Sequence, residues 1–325
     1  MTEIHLVGRP TGMPTADLFA FVEHEPLELR LGTALVENVL LSVDPYMREC
    51  MDEEWDLHSP LEGRALGRVV ESRTPDYSVG DIVFHRKSWR THAVVSAAES
   101  RRIEDLPDVP LSAHLGILGG TGLSAYVGLV RVAKLQPGET VFISAAAGGV
   151  GTAAGRLARL LGAGRVIGST GTAAKANHLV SNVGFDAAFS YRDGPITESL
   201  AKAAPDGIDV YLDNVGGDHL AAAIDVLKPR GRIAWCGAVS TYNHEASAAP
   251  HNLYDIVEKQ LRLEGFLVSS HRDARPELLE LLVPHLQAGR VVSDETVVSG
   301  FDSMVEAFLA MLRGENTGKM LVRVV

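Results

Sequence analysis

No stretch limits the fold of this chain as tightly as residues 140–155, Thr-Val-Phe-Ile-Ser-Ala-Ala-Ala-Gly-Gly-Val-Gly-Thr-Ala-Ala-Gly. A β-branched and aromatic run at 140–144 breaks into glycines. An Ala- and Leu-rich segment with helical spacing follows, with Ala154, Leu157, Ala158 and Leu161 on one side. Within it Gly149, Gly151 and Ala154 fit G-x-G-x-x-A, the dinucleotide fingerprint with Ala at its third position. Glycine at the turn lets backbone N–H groups approach a pyrophosphate with no Cβ in the way. The helix N-terminus then offers that anion unpaired donors and a partial positive charge.

The next strand decides which dinucleotide. An NAD site places Asp or Glu about 20 residues on, to hold the ribose 2′-hydroxyl. Here the second strand is read at 165–169, and Ser169-Thr-Gly-Thr172 follows with no carboxylate before Lys175. Hydroxyls and an ammonium would bind a 2′-phosphate that a carboxylate would repel, so Ser169 and Lys175 favour NADP over NAD. The competing reading of Lys175 is a solvated helix lysine.

Length and composition bound the rest. At 325 residues, 46% of them hydrophobic, the chain is long enough for two domains with substantial cores. A net charge of −11 argues against nucleic acid or an anionic membrane as partner and fits an acidic soluble protein with a small ligand. With no signal pattern and no bilayer-length apolar run, the cytoplasm is the expected location. Two cysteines, Cys50 and Cys236, suit a reducing compartment. Neither has a second Cys or a His at ligand spacing, and His244 and His251 read as loop residues, so metal chemistry is disfavoured. Cys236 in an apolar strand reads as a buried thiol. No Gly-x-Ser-x-Gly or Ser–His–Asp arrangement points to hydrolysis.

Along the chain, residues 4–109 read as short β segments (37–42, 67–71, 81–84 and 89–95) punctuated by Gly, Pro and Asp. Helical patterning begins near 115. Strand candidates at 165–169, 187–191, 208–213, 232–236 and 263–268 then alternate with helical segments, which implies a parallel, doubly wound sheet with its ligand at the carboxyl ends of the strands. Asn214-Val-Gly-Gly217, Gly237-Ala-Val-Ser-Thr-Tyr-Asn243 and Ser269-Ser-His271 follow three of those strands and can hold ribose and carboxamide. Asn-Val-Gly-Gly by itself would be a tight turn. Asp302 or Ser303 can cap a helix bearing Val305, Phe308, Leu309 and Leu312, and a strand at 319–325 can return to the first domain.

Several motifs carry a resemblance over nearly the whole chain: Leu41-Ser-Val-Asp-Pro-Tyr-Met-Arg48, Gly119-Gly-Thr-Gly-Leu-Ser-Ala-Tyr-Val-Gly128, Ser144-Ala-Ala-Ala-Gly-Gly-Val-Gly151, Gly207-Ile-Asp-Val-Tyr-Leu-Asp-Asn-Val-Gly-Gly217, Glu264-Gly-Phe266 and Gly314-Glu-Asn-Thr-Gly-Lys319. With them the chain resembles the zinc-independent medium-chain dehydrogenase/reductases, in the leukotriene B4 12-hydroxydehydrogenase/prostaglandin reductase branch that includes 2-alkenal and curcumin reductases. The resemblance implies an α/β protein with a GroES-like β-rich catalytic domain at 1–115, to which 293–325 returns, and a Rossmann NADP-binding domain at 116–292. It implies NADPH as hydride donor, reduction of the C=C bond of a lipophilic enone or enal, and a homodimer pairing through an edge strand at 261–269.

Position by position, the resemblance puts Gly148, Gly149, Val150 and Gly151 on the pyrophosphate, and Lys175 and Tyr191 at the 2′-phosphate. Asn214, the Cys236, Gly237, Ser240 and Tyr242 segment, Phe266, Val268 and Asn316 fall on the nicotinamide side, and Tyr46 and Tyr242 face the substrate. Tyr46 could equally be a packing residue after Pro45. Zinc-containing relatives carry Gly-His-Glu-x-x-Gly-x-Val, and counting back from Gly67 gives Gly63 and Arg64 where His and Glu would stand. Two departures stand out: a short acidic segment, Cys50-Met-Asp-Glu-Glu-Trp-Asp-Leu-His58, where the branch has a longer one at the substrate mouth, and Arg156 where Gln is common, which reads as a surface change. Quinone reduction, or an NADPH-binding protein without catalysis, are the alternative functions.

Overall fold

The computed structural model describes residues 1–25, 28–243 and 249–324; His244 and the last residue of the expected 319–325 strand lie outside them. The chain divides into two units. The first comprises residues 1–115, 295–316 and 320–325, and the second 116–294 and 317–319.

The first unit is β-rich. The strands Thr2–Leu6 and Phe19–Glu23 form an antiparallel hairpin. A seven-stranded sheet runs Glu295–Ser299, Lys319–Arg323, Ala34–Ser42, Ala65–Ser72, Ile82–His85 and Arg101–Arg102 in spatial order, with His92–Val95 also pairing Ala34–Ser42. Its pairs are antiparallel with register shifts in the long central strands, which is how one sheet bends enough to close over its own core. That core is aromatic: Phe19 stacks on Trp89 at 5.5 Å between centroids, and Trp55 and Phe308 each meet Trp89 edge-on at 5.6 Å.

Trp89 also explains why the strand expected at 89–95 starts only at His92. Its φ of 57° turns the chain so that the indole is fully buried. The helix Met304–Leu312 buries Val305, Phe308 and Leu309 as its spacing predicts. Neither expected cap makes a side-chain capping bond: Phe301–Ser303 forms a 3₁₀ turn, and the Ser303 hydroxyl donates instead to the Ser299 carbonyl. The short acidic segment is anchored, with Met51 and Trp55 in the core.

The second unit is a six-stranded, wholly parallel sheet. Numbered along the chain as strands one to six, Thr140–Ile143, Arg165–Thr170, Ala187–Ser190, Ile208–Asp213, Leu227–Trp235 and Arg262–Gly265 lie in the order three, two, one, four, five, six. That is the doubly wound Rossmann order, with its switch point between Thr140–Ile143 and Ile208–Asp213. The central strands Thr140–Ile143 and Ile208–Asp213 are mostly apolar and buried because both faces are covered, and Phe142, Ile167, Tyr211 and Ile233 sit in the core. The last strand stops at Gly265 rather than 268, since the chain enters a 3₁₀ segment, Val268–Ala274.

Candidate cofactor and active site

The fingerprint forms as its residues require. The strand Thr140–Ile143 leads through 144–148 into the helix Gly149–Leu160, with Gly148 extended at its N-cap. Ala145 takes a φ of 46° to make the turn, and its carbonyl accepts the Gly148 N–H at 2.9 Å. A Cβ on Gly151 would stand 2.5 Å from Ala145 O, Ala146 Cα and Ala146 O, so only glycine lets this helix start against this loop. A Cβ on Gly149 would stand 2.9 Å from Thr121 Cγ2. Gly148, Gly149, Val150 and Gly151 thus form a backbone cradle at the N-terminus of a twelve-residue helix.

On one side of the switch point, Ser169 is fully buried at the end of its strand, and its hydroxyl has no hydrogen-bond partner among the described residues. An orphaned buried hydroxyl beside a glycine cradle fits a ligand that brings its own acceptor. Thr172 serves the next helix instead. It N-caps Ala173–His178, accepting the Lys175 N–H at 3.3 Å and fixing Lys175 in the first turn. Tyr191 follows the third strand, donates its N–H to Thr170 O at 3.0 Å, and sets its ring against His219 at 5.2 Å. Arg192 lies over the Tyr191 ring at 5.9 Å, and a Cβ on Gly171 would stand 3.4 Å from Tyr191 Oη and 3.7 Å from Arg192 Nε. Arg192 is absent from the sequence expectations, although an exposed cation directly after Tyr191, next to a strand end, is a visible signal.

On the other side, Asp213 is fully buried, and its Oδ1 accepts from Tyr211 Oη (2.7 Å), Ser144 Oγ (3.2 Å) and the N–H groups of Val215 and Gly216 (2.8 Å each). Burial pushes its pKa above the ordinary carboxylate range, while these donors pull the other way. Asp213 lies inside the motif at 207–217 but receives no role in the sequence reading, although an acid closing an apolar strand can be seen there. Asn214 locks the first and fourth strands: its N–H donates to Ser144 Oγ at 2.9 Å and its side-chain amide to Ser144 O at 2.8 Å. Gly216 and Gly217, with φ of 72° and 51°, make the tight turn into Gly217–Val226.

The loop after Leu227–Trp235 folds back over these groups. The Cys236 N–H donates to Asp213 O at 2.7 Å, the Val239 N–H to Asn214 O at 3.2 Å, and the Ser240 hydroxyl to Val215 O at 2.6 Å. Cys236 lies just past the strand and is partly exposed as a residue, while burial of its thiol, with Asp213 adding to it, pushes the thiol up to about 12, in the protonated form. Tyr242 is half-buried, and a Cβ on Gly237 would stand 3.5 Å from its Oη, so the phenol hangs over the strand end. Phe266 and Val268 are half-buried, with Phe266 Cζ 3.2 Å from a Cβ placed on Gly128.

Arg156 is not a surface change. It is nearly buried, with Nε and Nη2 donating to Asp294 Oδ2 at 3.0 and 2.7 Å, while His178 Nε2 lies 2.9 Å from Asp294 Oδ1. The Asp294 carbonyl accepts the Lys319 N–H, and the Gly318 N–H donates to Ala147 O in the fingerprint loop, each at 2.8 Å. A Cβ on Gly318 would stand 1.9 Å from Asp294 O. This node braces the cradle from behind.

In the first unit, Tyr46 Oη donates to Glu62 Oε2 at 3.4 Å, and Arg64 lies over its ring at 5.2 Å. Burial and the nearby Asp44 push its pKa well above the usual phenol range, so it stays a donor. Asn316 also belongs to this unit, whereas every other candidate residue belongs to the second. Where zinc-containing relatives carry His and Glu, a Cβ on Gly63 would stand 2.2 Å from Ser88 Oγ, and Arg64 Nη1 pairs with Asp44 at 3.2 Å. Neither position offers a metal ligand.

Residues 2–103 match a family described as the N-terminal domain of oxidoreductase, and residues 149–283 one described as zinc-binding dehydrogenase. A 2-alkenal reductase (NADP(+)-dependent) of Nicotiana tabacum is 40% identical over 89% of this chain and 87% of its own length. Prostaglandin reductase 1 of Rattus norvegicus is 38% identical over 96% and 95%. The chain belongs to the zinc-independent medium-chain dehydrogenase/reductases. The crystal structure of CurA from Vibrio vulnificus in complex with NADPH superposes with a TM-score of 0.93 at 29% identity, covering 100% of this chain and 99% of that one. GroES-like and Rossmann folds account for the two large sheets of this medium-chain reductase.

Proposed function

We propose that this medium-chain reductase uses NADPH to reduce the C=C bond of α,β-unsaturated ketones and aldehydes, without zinc. The observation that carries the reading lies at the ends of the second and third strands: an orphaned buried hydroxyl at Ser169 with Lys175 after it and no carboxylate between them, and Tyr191 and Arg192 after the third strand, beside a glycine cradle built for a dinucleotide. The 2-alkenal reductase similarity supplies the substrate class. When bound, NADPH would supply hydride for the β-carbon. Gly148, Gly149, Val150 and Gly151 hold the pyrophosphate through backbone N–H groups, and Lys175, Tyr191 and Arg192 hold the 2′-phosphate. Asn214, Cys236, Gly237, Ser240, Phe266, Val268 and Asn316 serve the nicotinamide side.

Negative charge developing on the substrate's carbonyl oxygen needs donors, because no metal ligand set stands at Gly63 and Arg64. Tyr242 supplies one phenol, and Tyr46, held protonated by burial, supplies another. The α-carbon then takes a proton from a tyrosine or water. Incubation with an enone and NADPH, followed by mass spectrometry, tests the bond reduced: the saturated carbonyl supports the reading, and an allylic alcohol or unchanged enone overturns it.

Assembly and location extend the same reading. Arg262–Gly265 is the terminal strand of its sheet, with Tyr254, Val257 and Leu267 exposed in the same unit, and this supports a homodimer pairing edge to edge. Gel filtration at the mass of a monomer would refute it. No helix among the described residues is long and apolar enough to cross a membrane, and the two free cysteines suit the cytoplasm.

A further inference from the structure

The amino-terminal hairpin holds a side-chain cluster that the reductase chemistry leaves unused. Glu3 pairs with Val22 and His5 with Ala20 across the strands, and main-chain bonds carry the ladder on to His24, whose N–H donates to Met1 O at 2.8 Å. Glu3 and His5, two apart on one strand, therefore share a face with His24, which stands diagonally from Glu3. There Glu3 Oε2 lies 3.2 Å from His5 Nε2 and 3.3 Å from His24 Nε2, and the three ligand atoms all lie within 4.8 Å of one another. Glu3 and His5 are buried, and His24 is open to solvent.

We propose that Glu3, His5 and His24 form a binding site for a divalent transition ion of the zinc type. Two imidazole nitrogens converge on one carboxylate oxygen, and nitrogen and oxygen ligands 2.0–2.1 Å from a tetrahedral ion stand about 3.3 Å apart, the spacing of both measured edges. Two imidazoles select zinc, cobalt or nickel over calcium or magnesium, which require oxygen ligands. The second carboxylate oxygen, Oε1, faces Arg90 Nη1 at 3.5 Å, an outer partner that orients Glu3 and, by offsetting its charge, keeps the affinity moderate. Three protein ligands leave a fourth position for water. The ion would tie the strand Thr2–Leu6 to the end of Phe19–Glu23, a role separate from hydride transfer. The ligands stand 19 and 21 positions apart (24 − 5, 24 − 3), far from any metal-motif spacing, and only the hairpin register brings them together.

The test uses the full chain without a histidine tag, stripped with a chelator and titrated with zinc against a chromophoric competitor. The expected result is one equivalent bound, with affinity weakened about tenfold or more in His24→Ala and in Glu3→Gln. A thermal midpoint that rises with zinc in the parent and not in His24→Ala is also expected. His24 is exposed and is not among the residues assigned to the reductase chemistry, so His24→Ala should fold and retain enone turnover. Equal zinc affinity in parent and variants, or no competition by the parent, overturns the proposal.

Discussion

Individual side chains divide between chemistry and binding. Tyr242→Phe removes a donor without touching the cradle, so turnover should fall by about 10²-fold while the NADPH dissociation constant, read by fluorescence titration, stays unchanged. An unaltered turnover would remove Tyr242 from the chemistry. Lys175→Ala should raise KM for NADPH by about tenfold or more and leave KM for NADH nearly alone, since only the 2′-phosphate loses a charged partner. Lys175 was singled out in the sequence because a missing acid is visible along the chain, whereas Tyr191 entered only through the family resemblance. Arg156 was not legible: its partner Asp294 is 138 residues away, and side-chain burial depends on what packs across the gap. Arg156→Gln, which leaves Asp294 with a weaker set of donors, should lower stability by about 1–3 kcal/mol in denaturant unfolding. No change would restore the surface reading.

Between elements, steric fit decides. The loop at 144–148 and the start of Gly149–Leu160 touch through backbone atoms that cannot move aside, so Gly151→Ala should tilt the helix from the loop. The expected outcome is a higher KM for NADPH together with a lower melting midpoint; a variant matching the parent in both would show the contact to be soft. Strands and their alternation with helices were readable from β-branched runs and punctuation, and so was the Rossmann class. Their ends were less so. The strand read at 263–268 stops at Gly265, Trp89 leaves its strand to fill a core, and Ser303 bonds backward to Ser299 instead of capping, each a tertiary choice overriding a local one.

Over the whole molecule, each unit carries a histidine that burial holds neutral: His85, pushed down to about 3 in the first unit, and His219, to about 4 in the second. In the unfolded chain both take up a proton near 6.5, so between that pH and about 4 the unfolded state binds more protons and stability falls as pH falls. Melting midpoints should therefore decline below pH 6.5, and His219→Gln should flatten part of that decline; a parent midpoint independent of pH from 6.5 to 4 would contradict the assignment. Cradle, cation set and tyrosines together are held to make an NADPH-dependent enone reductase, and one assay puts all three to the test. NADPH absorbance is followed with a panel of 2-alkenals, enones and quinones and repeated with NADH. Consumption with enones and enals, a strong preference for NADPH, and little turnover of quinones are expected. Consumption confined to quinones, or no consumption while NADPH still binds, would contradict it.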